Sequence, residues 1–112
     1  MSQQLRAVIE SEREHILDQL AALRESFDAI VDGTELTSTD DEHDPEGTTI
    51  AYERAQVAAL LHQAESDLAA LDQALQRVED GTAHVCTVCG GPIAEERLLA
   101  LPTTQTCIRC AS

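Results

Sequence analysis

The last quarter of the sequence contains four cysteines arranged as two CxxC pairs. Cys86 and Cys89 form the first pair, Cys107 and Cys110 form the second, and 17 residues separate the pairs. Each CxxC closes a tight knuckle that directs two sulfurs at one ion, and two knuckles complete the closed tetrahedral ligand set of a structural zinc site. The spacing predicts one zinc ion per chain, with no open coordination position for metal-assisted hydrolysis.

Three other roles are open to these thiols: a pair of disulfides, a tetrathiolate iron centre and a redox-active dithiol. None of them explains why all four cysteines fall into two knuckles, so zinc is the preferred interpretation. His84, two residues before the first pair, is interpreted as a surface residue rather than a further ligand. A segment this short buries too little apolar surface to fold alone, so zinc is expected to supply much of its folding free energy.

Residues around the cysteines support the same interpretation. Gly90 and Gly91 follow the first knuckle, where glycine permits a backbone reversal and lets amide groups point at the sulfurs. Arg97 and Arg109 lie in the same segment and could offset the negative charge of a tetrathiolate site. A small apolar cluster is expected to pack the knuckles against the rest of the protein, formed by Ile93, Leu98, Leu99 and Leu101.

The formal charge of −14 restricts the partners of this chain. All seven basic residues are arginine, against 21 acids. Such a surface repels phosphate backbones, so direct DNA or RNA binding is not expected, and a basic protein surface is the better electrostatic partner. No stretch resembles a secretory signal or a membrane span, which predicts a cytoplasmic protein without a membrane partner. In that reducing compartment, cysteine pairs favour metal over disulfides.

Two segments before the cysteines are rich in strong helix formers such as Ala, Leu, Gln and Glu. Apolar residues recur in both segments at steps of three, four or seven, which is the seam of a coiled coil. The first seam consists of Ile9, Ile16, Leu20, Leu23, Phe27 and Ile30. The second consists of Ile50, Val57, Leu61, Ala64, Leu68, Leu71, Leu75 and Val78. The pattern predicts helices over about 3–31 and 44–80, with Gly33 and Gly81 as stops.

Turn-forming and acidic residues dominate the connection, residues 32–49. Two amphipathic helices of similar length joined in this way are predicted to fold back as an antiparallel coiled-coil hairpin. A parallel coiled coil between two chains, or a bundle closed by dimerisation, is the alternative. The expected fold is mainly α, with the hairpin in residues 1–81 and a four-cysteine zinc finger in residues 82–112.

The hairpin tip carries a cluster of carboxylates: Asp40, Asp41, Glu42, Asp44 and Glu46. Asp44, which precedes Pro45, is predicted to cap the second helix, with Thr49 as the alternative cap. Acids this close repel one another, which a folded protein does not need for stability alone. The tip is therefore predicted to contact a partner.

The cysteine segment resembles the DksA/TraR family of bacterial zinc-finger transcription regulators. The matching pattern, CxxCGxxIxxxRLxAxPxxxxCxxC, runs from Cys86 to Cys110, and the stretch from Arg77 to Gly81 looks like the arm that leads into the family's finger. The resemblance implies a non-enzymatic regulator that inserts an acidic coiled-coil tip into the secondary channel of RNA polymerase and does not read DNA sequence. The family's tip has two aspartates three apart, then alanine two residues later. Here Asp41 and Asp44 keep that spacing and Glu46 takes the alanine position.

Some family members act together with guanosine tetraphosphate, and the resemblance leaves the role of that nucleotide here open. The C-terminal helix of longer members is not expected, because the sequence ends two residues after Cys110. The alternative function is a zinc-stabilised coiled-coil adaptor for another protein. An enzyme is not expected, since His43 beside Asp44 is a lone pair and no Ser or Cys nucleophile has a recognisable base motif.

Overall fold

A computed structural model describes the backbone of residues 2–36 and 45–111, and the side chains of residues 3–31 and 49–111. Three helices follow in chain order: α1 (Ser2–Leu36), α2 (Pro45–Asp80) and α3 (Glu95–Ala100). Over the described ranges there is no β-strand, only an isolated antiparallel bridge between Val85 and Pro92. The predicted fold class, a mainly α hairpin followed by a four-cysteine finger, is confirmed. None of the helices in these ranges is long and apolar enough to span a membrane.

The chain divides into two compact units, and the first of them contains Met1–Ile16 and Asp67–Ser112. In this unit Arg6 lies 3.3 Å from Glu79, and Arg13 lies 2.7 Å from Asp72. The arginine with the higher residue number pairs with the acid with the lower residue number, so α1 and α2 are antiparallel here.

The core of the first unit is built from the start of α1, the end of α2 and the finger. Its buried apolar residues, besides two of the cysteines, are Leu5, Ile9, Ile16, Leu71, Ala74, Val78, Ala83, Ile93 and Leu98. The predicted seams do not include the buried residues Leu5 and Ala74, although Leu5 continues the first seam four residues before Ile9. Burying one aliphatic side chain of this size contributes roughly 1.5–3 kcal/mol, so this unit contains most of the apolar stabilisation.

The second unit, Leu17–Ser66, consists of the remaining parts of α1 and α2. Leu20 and Ala64 are buried between the helices. The other described seam residues of this unit are half-buried: Leu23, Phe27, Ile30, Ile50, Val57 and Leu61. Arg24 lies 4.0 Å from Glu65, but both side chains are more than half exposed. Because exposed pairs contribute at most about 1 kcal/mol, the apolar seam holds these helices together.

The helix ends differ in part from the sequence prediction. α1 continues to Leu36, so the predicted end at residue 31 is wrong and Gly33 lies inside the helix. A glycine inside a helix costs only about 1 kcal/mol relative to alanine, and the helix formers Glu35 and Leu36 follow it. α2 begins at Pro45, whose missing N–H suits the first helical position. Thr49 lies within α2 and does not cap it.

The end of α2 is a Schellman turn that directs the chain into the finger. Gly81 has a φ of 78°, in the left-handed region that favours glycine. Its amide donates to Val78 O at 3.2 Å, and the Thr82 amide donates to Arg77 O at 2.9 Å. These two bonds satisfy carbonyls that the helix end would otherwise leave free, so the first knuckle starts from a fixed backbone geometry.

Candidate metal centre

The four cysteine sulfurs form one cluster. The Sγ atoms of Cys86, Cys89, Cys107 and Cys110 all lie within 4.8 Å of one another. Cys89 Sγ and Cys107 Sγ are 3.7 Å apart, and all four thiols are free rather than joined in disulfides. Tetrahedral zinc with Zn–S bonds of about 2.3 Å places its sulfurs roughly 3.8 Å apart. The cluster therefore fits one zinc ion, which would act as a structural cross-link between the two knuckles.

Backbone hydrogen bonds shape the first knuckle. The Cys86 amide donates to Gly91 O at 2.8 Å, and the Gly90 amide donates back to Cys86 O at 2.9 Å. Gly90 has a φ of 73°, so the reversal predicted at this position depends on glycine. The Gly91 amide points at Cys89 Sγ from 3.4 Å. A Cβ at Gly91 would lie 3.3 Å from that sulfur, so this position also favours a residue without a side chain.

The second knuckle shares part of this pattern and is joined to the first by hydrogen bonds. The amides of Cys110 and Ala111 both donate to Cys107 O at 3.0 Å. Thr87, inside the first knuckle, donates to Gln105 O through its amide at 2.9 Å and through its hydroxyl at 3.1 Å. The two sulfur pairs are therefore held against each other by protein contacts.

The cluster lies at the edge of the apolar core of the first unit. Cys86 and Cys107, the first cysteine of each pair, are buried, whereas Cys89 is exposed and Cys110 is half-buried. Of the predicted apolar cluster, Ile93 and Leu98 are buried and Leu99 is half-buried. Leu101 is 51% exposed, so its assignment to this cluster is wrong. It follows the end of α3 with φ −131° and ψ 76°, and this departure from helical geometry takes its side chain off the face that carries Leu98.

The thiols have different affinities for protons. Hydrogen bonds from the backbone of Cys89, and then of Cys107, lower the pKa of Cys86 from 9.0 to about 6. The backbone of Cys110 likewise lowers the pKa of Cys107. Hydrogen bonding to the side chain of Cys107, and then to that of Cys89, raises the pKa of Cys110 to about 12. The backbone thus favours thiolates on the two buried cysteines, which is the form that binds metal.

His84 is outside the sulfur cluster, in agreement with its interpretation as a non-ligand. Its Nε2 atom pairs with Glu95 Oε2 in the first turn of α3. The other carboxylate oxygen, Glu95 Oε1, is buried without a hydrogen-bond partner. His84 O also accepts from the Ile93 amide at 2.7 Å, so this residue joins the approach to the first knuckle to the start of α3. No sequence pattern marks this pairing, since 11 residues separate the two partners.

Arg97 and Arg109 occupy different surroundings. Arg97 is half-buried, and its Nε atom donates to Thr106 O at 3.0 Å, just before the second knuckle. Arg109 lies inside that knuckle and is exposed. Sequence reasoning missed Arg77 as a residue of the finger. Its Nη2 atom reaches from α2 to Thr82 O at 3.0 Å and to Val85 O at 2.7 Å.

The predicted acidic tip falls largely outside the described residues. This applies to Asp40, Asp41, Glu42 and Asp44. Glu46 is described only as part of the α2 backbone. The tip residues therefore remain predictions from the sequence.

Comparison with known proteins agrees with this geometry. Residues 81–112 match the prokaryotic dksA/traR C4-type zinc finger. An uncharacterised protein of Aquifex aeolicus (strain VF5) is 46% identical over 41 residues, which are 37% of this chain and 28% of that protein. The uncharacterised protein YteA of Bacillus subtilis (strain 168) is 42% identical over 67 residues, which are 59% of this chain and 28% of YteA. The chain thus matches little more than a quarter of the length of each relative.

The fold is similar to that of transcription factor DksA2 from Pseudomonas aeruginosa, with a TM-score of 0.77. The superposition covers 96% of this chain and 78% of DksA2 at 21% sequence identity. Fold and site together define a helical-hairpin protein with a C4 zinc finger. Residues 81–112 thus match the finger of the DksA/TraR family, and the chain as a whole has the fold seen in DksA2.

Proposed function

We propose that this chain is a zinc-binding, non-enzymatic transcription regulator that binds RNA polymerase through its acidic coiled-coil tip, without sequence-specific DNA binding. The observation that carries the proposal is the four-sulfur finger on a DksA-like helical hairpin. The charge of −14 supports it, because an acidic protein is attracted to a basic cleft of a large partner and repelled by nucleic acid. Such a protein acts in the cytoplasm, where the polymerase is.

The zinc site of this regulator consists of Cys86, Cys89, Cys107 and Cys110 as the complete ligand set. Elemental analysis of the purified protein should find one zinc per chain, and each single Cys→Ser variant should hold zinc poorly, because three thiolates leave the tetrahedral set incomplete. Serine variants at Thr87 and Thr106, beside the ligands, are the matched controls and should keep their zinc. A native protein without zinc would contradict this assignment.

The polymerase contact is tested by binding. The purified zinc-loaded chain should bind purified RNA polymerase core enzyme of the host, with an affinity that decreases with salt, because opposite charges steer the encounter. Affinity capture from the host extract separates the two candidate functions. Enrichment of polymerase subunits supports the regulator. Their absence, together with another stoichiometric partner, supports the adaptor. Adding guanosine tetraphosphate to the binding reaction tests whether that nucleotide contributes.

The effector is the tip, Asp40, Asp41, Glu42, Asp44 and Glu46. Replacing Asp41 and Asp44 by Asn removes two charges and keeps side-chain shape and much capping ability. The double variant should keep its zinc and its helicity, should still bind polymerase through the shaft of the hairpin, and should lose its effect on transcription in vitro.

The double variant Asp18→Asn, Asp28→Asn is the matched control for the tip. Both residues are exposed on α1, so the control removes the same charge from the shaft of the hairpin. It should regulate as the parent does. If the tip variant regulates as well as the parent, the acidic tip is not the effector.

A further inference from the structure

Two arginines contact equivalent positions of the two knuckles. Arg77 Nη2, in the last turn of α2, donates to Val85 O at 2.7 Å. Arg97 Nε, in α3, donates to Thr106 O at 3.0 Å. Val85 and Thr106 each come directly before the first cysteine of a CxxC pair. Each knuckle therefore receives one guanidinium at the same backbone position, from a different helix.

The contacted carbonyl belongs to the peptide group that leads into the cysteine. The O atom of Val85 and the N atom of Cys86 lie in one planar unit. Arg77 holds the oxygen side of this unit, and the Cys86 amide donates to Gly91 O at 2.8 Å on the other side. With both sides of the plane held, the direction of the Cys86 side chain is restricted. Arg97 likewise holds the carbonyl oxygen of Thr106, in the peptide group that leads into Cys107.

Both guanidiniums make a second contact, Arg77 from one nitrogen and Arg97 from two nitrogens that the single nitrogen of lysine could not replace together. Arg77 Nη2 also donates to Thr82 O at 3.0 Å. Arg97 Nη2 reaches Thr104 Oγ1 at 3.5 Å, while its Nε atom is on Thr106 O. A guanidinium offers five donors in a rigid plane, whereas an ammonium is a point charge on a flexible stem. Charge-assisted bonds of this kind are also stronger than those between neutral groups.

We propose that Arg77 and Arg97 are positioning residues of the zinc site, one for each knuckle. They hold the buried first cysteine of each pair, Cys86 and Cys107, in the geometry that binds the metal. This inference rests on the proposed four-cysteine ligand set. Groups that orient metal ligands without touching the metal commonly contribute roughly 10- to 100-fold to metal affinity.

The test uses the full zinc-loaded chain and the variants Arg77→Gln and Arg97→Gln. Arg54→Gln is the matched control, because Arg54 is an exposed arginine on α2 outside the finger and its removal changes the net charge equally. Zinc affinity, measured by competition with a chromogenic chelator, should be roughly 10- to 100-fold lower in the first two variants, with faster zinc transfer, and parental in the control. The effect should be larger for Arg97, whose bond to Thr106 O is partly buried.

A second measurement identifies which knuckle opens. Brief alkylation during zinc release, followed by peptide mass spectrometry, should label Cys86 and Cys89 first in Arg77→Gln. In Arg97→Gln it should label Cys107 and Cys110 first. General destabilisation of the finger would give the same labelling order in both variants, and that result would overturn the proposal.

The lysine variant Arg97→Lys keeps the charge and should rescue zinc retention only in part, because one ammonium cannot replace both Nε and Nη2. Full rescue by lysine would mean that charge alone matters, and it would also overturn the positioning role. A parent protein that binds no zinc contradicts the ligand set itself. A parent with one zinc whose glutamine variants release it at the parental rate contradicts only the positioning role.

Discussion

Arg13 donates a hydrogen bond to the Asp72 carboxylate at 2.7 Å, across 59 positions of the sequence. The bond joins α1 to α2 in the unit that also contains the finger. Both side chains are nearly half exposed, at 41% and 50%. Ile9, one turn earlier on α1, is fully buried. The ion pair therefore remains in contact with solvent, whereas the apolar side chain of Ile9 does not.

Replacing Ile9 should therefore destabilise the protein far more than breaking the ion pair. Ile9→Ala is expected to cost about 2–5 kcal/mol, because it removes buried methyl groups and leaves a cavity. Arg13→Gln should cost at most about 1 kcal/mol, the usual range for an exposed pair. Urea unfolding of the zinc-loaded proteins measures both. Equal losses of unfolding free energy would contradict this ranking.

Gly90→Ala should weaken zinc binding through the backbone. The φ of Gly90 is 73°, and a side chain in this left-handed region costs about 1–2 kcal/mol. A Cβ there would meet no atom within 4 Å, so the cost is conformational rather than steric. Gly81→Ala is the matched control, since Gly81 has a φ of 78° at the end of α2. Both variants should unfold more easily, but competition with a zinc chelator should show reduced affinity mainly for Gly90→Ala.

Removal of zinc should unfold the finger and leave most of the helical hairpin. The finger is short, so metal binding supplies much of its folding free energy, whereas α1 and α2 have buried apolar residues in both units. In the chelated protein, amide hydrogen exchange should become fast at Cys86, Gly90 and Cys110. Far-ultraviolet circular dichroism should change little, and zinc should restore protection. Finger amides that stay protected without metal would argue against metal-coupled folding.

Zinc retention should decrease as the pH falls. The pKa of Cys86 is lowered from 9.0 to about 6, so this thiolate is favoured by the folded knuckle. A group whose pKa is lowered on folding stabilises the folded form fully when the pH is above the pKa of the unfolded state. This contribution is lost as the pH falls through the pKa of the folded state. Protons compete with zinc for the same sulfurs. Bound zinc favours the thiolate further, so zinc transfer to a chelator, corrected for the protonation of the chelator, should accelerate as pH falls to about 6 and below. Constant retention over that range would contradict the prediction.

The sequence by itself determined the features that depend on local spacing. Two CxxC pairs place two sulfurs in each knuckle whatever surrounds them, and the four sulfurs do lie within 4.8 Å of one another. The heptad pattern also predicted which helix positions face the partner helix, since all described members of both seams are buried or half-buried. Both patterns are periodic or short in range, so the chain encodes them without reference to distant residues.

The tertiary structure decided what depends on distant backbone. The acceptors of Arg77 and Arg97 are main-chain carbonyls at Val85 and Thr106, and every residue carries such a carbonyl, so no side-chain pattern marks them. The exposure of Leu101 was decided by where α3 ends, since its sequence pattern is as apolar as that of Leu98. Leu5, near the start of α1, packs against the end of α2 and the finger. This packing depends on residues far apart in the chain, so local sequence does not specify it.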